Sequence, residues 1–170
     1  MVAVGSAANP IDDPADASLL AAYAVNLVDA VDGALPAWIQ HVIAERWQSW
    51  SGSPATSELV TAAVTAAEQA RTEGIPQLRA LLALDVDEQR TNPLAILRHV
   101  AGHATAALAA AGVPPVRRDE QAERLHPADV YDVGPAAFVD LGPEVHEAGL
   151  HWGAAKAYVV LARIQRPMGR

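Results

Sequence analysis

The chain has 170 residues, a formal net charge of -8, 51% hydrophobic residues, 5% aromatics and no cysteine. That length fits one domain able to bury roughly two-thirds of its unfolded surface. The acidic balance argues against nucleic acid and anionic membranes as partners, because both need a clustered positive field. Without cysteine, disulfides, thiolate nucleophiles and cysteine zinc sites are excluded.

Alanine supplies much of the apolar content, and it forms helices well while burying little area. No run sustains period-two alternation. The expected fold is therefore all-α: a bundle of about five helices, a loop-rich segment of short helices, and a C-terminal helix. A flexible tail over 1–12 precedes a single helical domain over 13–170. Within that domain the bundle takes 13–112, an irregular capping segment 113–149, and the last helix 150–166.

The first helix is predicted to start with Asp13 as N-cap and Pro14 at the first helical position, and to close at Gly33. Its inward face holds Leu20, Tyr23, Leu27 and Val31. A second begins at Pro36, with Trp38, Ile39, Val42, Ile43, Arg46, Trp47 and Trp50 along one stripe, and ends at Ser51 to Ser53. The three tryptophans could line a partner groove; at that spacing Trp38 and Trp47 read as core, while Trp50 reads equally as core or groove. A third runs from Pro54 to a stop at Gly74, and a fourth starts at Pro76 and ends before the acids Asp85, Asp87 and Glu88, which read as a solvated helix end. A fifth follows Asn92 and Pro93 and ends at Gly112.

Beyond it the texture changes. Pro127, Gly134, Pro135, Gly142, Pro143 and Gly149 divide the chain into short pieces. Trp152, Ala155, Val159 and Ala162 then form a last helical face.

Location can be argued from charge. No Lys or Arg precedes Arg46, whereas secretory and twin-arginine signals need a basic region ahead of their apolar run. The cytoplasm is the expected compartment.

Most familiar chemistries lack their residues. No G-x-x-x-x-G-K, G-x-G-x-x-G or G-x-S-x-G motif is present, and the acids at 85–88 lack the glycine and terminal glutamate of a calcium loop. Glu123 and His126 form one E-x-x-H, where a di-iron bundle needs two. No cofactor is expected. His99 and His103, four residues apart, share a helix face and could bind a metal with His41 as third ligand. That set resembles the DinB-like bundles of actinobacteria, in which three histidines from separate helices surround a divalent metal and which include thiol-dependent transferases. The plainer reading takes them as partly exposed helix histidines.

Residues 113–156 carry the densest irregular chemistry. Eight carboxylates and one basic residue, Arg124, lie between Asp119 and Glu147. Glu120 and Arg124 are spaced as a helical pair, and Arg117 or Arg118 could clamp Asp129 or Asp140. An acidic surface rimmed by Tyr131, His146, His151 and Trp152 would suit a basic protein partner.

The segments DVDEQRTNPLAILR, GVPPVRRDEQAERLHPADVY and HEAGLHWGAAKAYVVLARI, within residues 85–164, resemble those of a family of small, uncharacterised actinobacterial proteins. There they read close to D-x-Q-R-T-x-P-L, G-V-P-P-V-x-R-D-E-F-A-E-R-x-F-P-D-D-V-Y and H-x-x-G-L-x-W-G-A-A-K-A. Arg118, Asp119, Glu120, Glu123, Arg124, Asp129, Tyr131, His146, Trp152 and Lys156 match and form the candidate binding set. Gln121 and His126 stand where the family has phenylalanines, and Ala128 where it has an aspartate. His99 and His103 lie outside the pattern. The resemblance implies a set of residues and no activity. The sequence therefore points to a non-enzymatic protein-interaction or regulatory module with a protein partner or self-association, the rival being a metal-dependent bundle enzyme using His41, His99 and His103.

Overall fold

A computed structural model describes residues 14–114 and 133–165. Among these the chain is all-α, with no strand. Helix α1 spans Pro14–Ser51, α2 Ser57–Ala83, α3 Pro93–Val100 and α4 Gly102–Ala110; a 3₁₀ turn at Phe138–Leu141 leads into α5, Pro143–Ile164. The tail at 1–12, the cap at Asp13 and the arginine-rich stretch at 115–132 lie outside the described residues.

Two expected helix breaks are absent. The first two predicted helices form one helix of 38 residues that runs through Gly33 and Pro36. Likewise the third and fourth form one of 27 residues through Gly74 and Pro76. A proline inside a helix withholds an N–H from the carbonyl four residues earlier and costs about 3 kcal/mol. Around Pro36, however, Leu27, Val31, Leu35, Ile39 and Ile43 are fully buried at four-residue spacing, each worth about 1.5–3 kcal/mol. Burial of that stripe outweighs the proline. Pro76 sits on the exposed side of α2, while Ile75 and Leu78 beside it are buried.

Leu19–Ser51 is long and apolar enough, by length and composition alone, to cross a membrane. A core helix passes the same test, and the buried stripe of α1 is the centre of this core.

The helices α1 and α2 form an antiparallel hairpin. Near the connecting loop, Trp47 Nε1 donates to the carbonyl of Pro54 at 3.1 Å. Mid-way along, Arg71 Nε bonds Asp32 at 2.6 Å. At the far end Leu82 and Ala83 of α2 and Ala21, Val25 and Val28 of α1 line a cavity of about 170 Å³ between the two helices. Helices α3 and α4 pack on α2, and α5 packs on α1.

The local signals at other ends hold. Thr56 caps α2 by accepting from the N–H of Leu59, and Asn92 caps α3 by accepting from Leu94, with Pro93 next. Gly112, at φ +90, closes α4. The predicted fifth helix is split at Ala101 and Gly102, where the N–H of Ala104 turns back to Ala101 in a tighter 3₁₀ step.

The last helix begins at Pro143, seven residues ahead of Leu150, so 143–149 is regular and not part of an irregular cap. Gly149 explains the misreading. A Cβ there would lie 2.5 Å from Phe138 Cδ2, so this glycine is a notch that seats the Phe138 ring against α5. Gly74 plays the same part where α2 meets α3, since its Cβ would come 3.1 Å from Val100 Cγ2. Gly33, by contrast, has nothing within 4 Å of where its Cβ would stand.

That difference sets opposite signs for one substitution. Gly33→Ala should raise stability by about 0.5–1 kcal/mol through helix propensity. Gly149→Ala should lower it by about 1–3 kcal/mol, because Phe138 must shift. Denaturant midpoints of the two variants check both signs.

Candidate functional site

Besides the Arg71–Asp32 pair between α1 and α2, three ion-pair centres organise the polar chemistry of the described residues. The first ties the end of α5 to the loop after α2. Arg163 bonds both carboxylate oxygens of Asp85, with Nη2 to Oδ2 at 2.8 Å, and reaches Asp87 at 2.6 Å. These acids are therefore clamped, and not merely solvated at a helix end. The Arg163 guanidinium, helped by the backbone N–H of Asp87, holds the Asp85 carboxyl down from 3.8 to about 2. In return the acids raise Arg163.

The second centre joins three helices. Glu73 on α2 meets His103 Nε2 of α4 at 2.6 Å and His99 Nε2 of α3 at 3.1 Å. The His103 ring, ahead of His99, keeps the Glu73 carboxyl below its ordinary 4.5. His99 is 71% exposed and contributes little, whereas His103, at 31%, is the firmer partner.

His41 belongs to a third place. It pairs with Glu45 one turn along α1, at 3.2 Å. It lines a cleft of about 460 Å³ between the second half of α1 and the segment at 133–140, together with Trp38, Glu45, Arg46 and Asp140. So His99 and His103 converge, but on a carboxylate, and among the described residues no group of three or more His, Cys, Asp or Glu side chains is arranged to hold a metal. Asp140 is not clamped by an arginine among the described contacts. Its carboxylate accepts the N–H groups of Ala136 and Ala137, at 2.8 and 3.0 Å. Arg98 donates to the carbonyls of Pro135 and Ala136, fastening that segment onto α3.

Of the candidate binding set, Arg118, Asp119, Glu120, Glu123, Arg124, Asp129 and Tyr131 lie outside the described residues. His146, Trp152 and Lys156 all sit on α5, yet they do not share one surface. Trp152 is buried in the core, with the Lys156 amine 5.1 Å above its ring. It therefore cannot rim an acidic face. His146 is exposed, and the ring of His151 lies against Tyr23 of α1, centroids 5.8 Å apart. On α1, Trp38 and Trp47 pack against the core as expected, and Trp50 is half exposed beside Trp47.

The opposite face of α5 is what the sequence reading missed. Leu150, Tyr158, Leu161 and Ile164 are 58%, 56%, 52% and 74% exposed. Alternating steps of four and three residues linking Leu150, Ala154, Ala157, Leu161 and Ile164 were the available signal. It was masked because α5 is apolar on both faces, which weakens any single periodicity. Trp152 and Val159 do face the core as read.

Neither family models, nor curated protein sequences, nor solved structures give a match to this chain.

The Arg163 clamp predicts a defined acid response. The folded-state value for Asp85 is depressed, so its contribution is complete above the ordinary 3.8 and is lost as pH falls through about 2. Replacing Arg163 with Met should flatten stability against pH within that window and leave the slope above it unchanged. Denaturant titrations at stepped pH would read this, and an unchanged acid limb would show that the clamp does not form.

Proposed function

We propose that the protein is a cytoplasmic binding or regulatory module acting through protein contacts, and not an enzyme. One observation carries this reading. Large apolar side chains stand on the solvent face of α5, while among the described residues Glu73 is engaged with His103 and Asp85 with Arg163. Exposed apolar surface costs solubility unless a partner covers it. Membership of the actinobacterial family that segments within 85–164 resemble is part of the same proposal.

The rival is a metal-dependent bundle enzyme. In its favour, two histidines already meet one carboxylate at Glu73. Against it, His41 is paired with Glu45 on its own helix, so the ligand set it needs is not assembled.

Two measurements separate them. Protein recovered at native abundance should carry a stoichiometric partner or a second copy, and Leu161→Glu should reduce that recovery at least several-fold. Metal analysis of protein purified without a His-tag should find no near-stoichiometric zinc, nickel or iron. Bound metal together with a solitary, unaccompanied chain would overturn the proposal in favour of the rival.

A further inference from the structure

We infer that the cleft between the second half of α1 and residues 133–140 binds a small zwitterion, a free α-amino acid with an aromatic side chain, as a function separate from the protein contacts above.

Two opposite charges line the two walls of this cleft without closing on each other. Arg46, half-buried, belongs to the α1 wall, and Asp140 of the 3₁₀ turn to the other. No ion pair joins them, and the Arg46 guanidinium has no hydrogen-bond partner among the described residues. An arginine and an aspartate held apart across about 460 Å³ are completed by a ligand that carries both charges. Its carboxylate meets the guanidinium in a two-point contact, and its ammonium meets the aspartate.

Simpler ions fit less well. Glu45 is turned to His41 at 3.2 Å, and both are well exposed, so solvent screens that pair. Arg46 and Asp140 then balance. A plain carboxylate would set a second negative charge before Asp140, and a plain amine would leave Arg46 without a counter-charge. A zwitterion satisfies both walls.

The Asp140 wall is fixed in advance. One carboxylate oxygen, Oδ2, accepts the N–H groups of Ala136 and Ala137 at 2.8 and 3.0 Å, which leaves Oδ1 for a ligand. Arg98 holds the carbonyls of Pro135 and Ala136 from behind. Gly134 permits that approach, since a Cβ there would lie 3.0 Å from Arg98 Cγ. A site ordered before binding loses less on binding.

Apolar surface continues from the charged end. Val42 lies one turn before Arg46 on α1 and Trp38 two turns before it, about 6 and 12 Å along the helix axis. Both are half-buried, with Val133 also lining the cleft. An aromatic side chain anchored by its carboxylate at Arg46 therefore runs over Val42 and ends against the indole of Trp38. The volume stands at the lower part of the range for small-molecule sites, about 300–1,000 Å³, which suits one amino acid better than a large cofactor.

The test titrates three compounds into the full chain by calorimetry: L-phenylalanine, 2-phenylethylamine, which lacks the carboxylate, and 3-phenylpropionate, which lacks the ammonium. L-Phenylalanine should bind, and each analogue should bind at least about tenfold more weakly. Arg46→Gln should erase the preference over phenylethylamine and keep that over phenylpropionate. Asp140→Asn, which retains an acceptor oxygen for the two backbone N–H groups, should do the reverse. Trp38→Leu should weaken all three ligands alike, with circular dichroism showing each variant folded. No heat from L-phenylalanine at millimolar concentration overturns the inference, as do analogues that bind as well as the amino acid. Binding that ignores all three variants places the site elsewhere and overturns it too. None of these results touches the protein-contact reading, which falls to a solitary chain and not to an empty cleft.

Discussion

Everything in this fold hangs on one stripe of α1. Leu27, Val31, Leu35, Ile39 and Ile43 lie one turn apart and are buried to the last percent. A strict four-residue repeat slips by about 40° per step on a 3.6-residue helix, so the stripe winds around α1 and does not face a single neighbour. That winding is why one helix can serve α2, α4 and α5 at different heights. The stripe also overrides local chemistry, since it continues across Pro36 at a point where backbone propensity alone would end the helix.

The class of the fold and its capping signals were legible in the sequence because they are local. Asn92 with Pro93 and the glycines at 52 and 112 act within one turn, and the chain obeys them, whereas the third predicted helix starts at Ser57 behind a Thr56 cap and not at Pro54. What misled was the use of glycine as punctuation. Gly74 and Gly149 have the composition of breakers but the job of notches, and whether a glycine ends a helix or admits a neighbour depends on what lies across the interface. Nothing near Gly149 in the sequence announces that Phe138 will seat on it.

Ion pairs were illegible for a related reason. Arg163 meets Asp85 across 78 positions, and Glu73 meets His103 across 30. Sequence spacing can rank pairs within a helix, such as His41 with Glu45, but carries no information on which acid a distant cation will find. The geometry explains the division of labour among the histidines. His99 and His103 were correctly placed together, since the split at Ala101 is slight. Their third partner came from α2 because Gly74 lets α3 approach α2 closely, right beside Glu73.

The helix α5 poses the sharper physical problem, because both of its faces are apolar and the bundle can cover just one. The inward face carries Trp152 in the core and the Gly149 notch that receives Phe138, while Leu150, Leu161 and Ile164 stay exposed. The face that lost is not a random remainder. Its large residues are kept in register by the same heptad spacing, with alanines between them. Chance exposure of apolar residues scatters singly over a surface, whereas a helix drawn from a general alanine-rich composition has no reason to hold leucine and isoleucine on one line opposite a buried tryptophan. The exposed side of α2 is mixed by comparison, since Val60 and Val64, 51% and 52% exposed, stand there among Glu58, Glu68 and Arg71. On α5 the exposed apolar line runs from Leu150 to Ile164 without a charged residue on it, whereas on α2 Glu68 and Arg71 follow Val60 and Val64 along the same face.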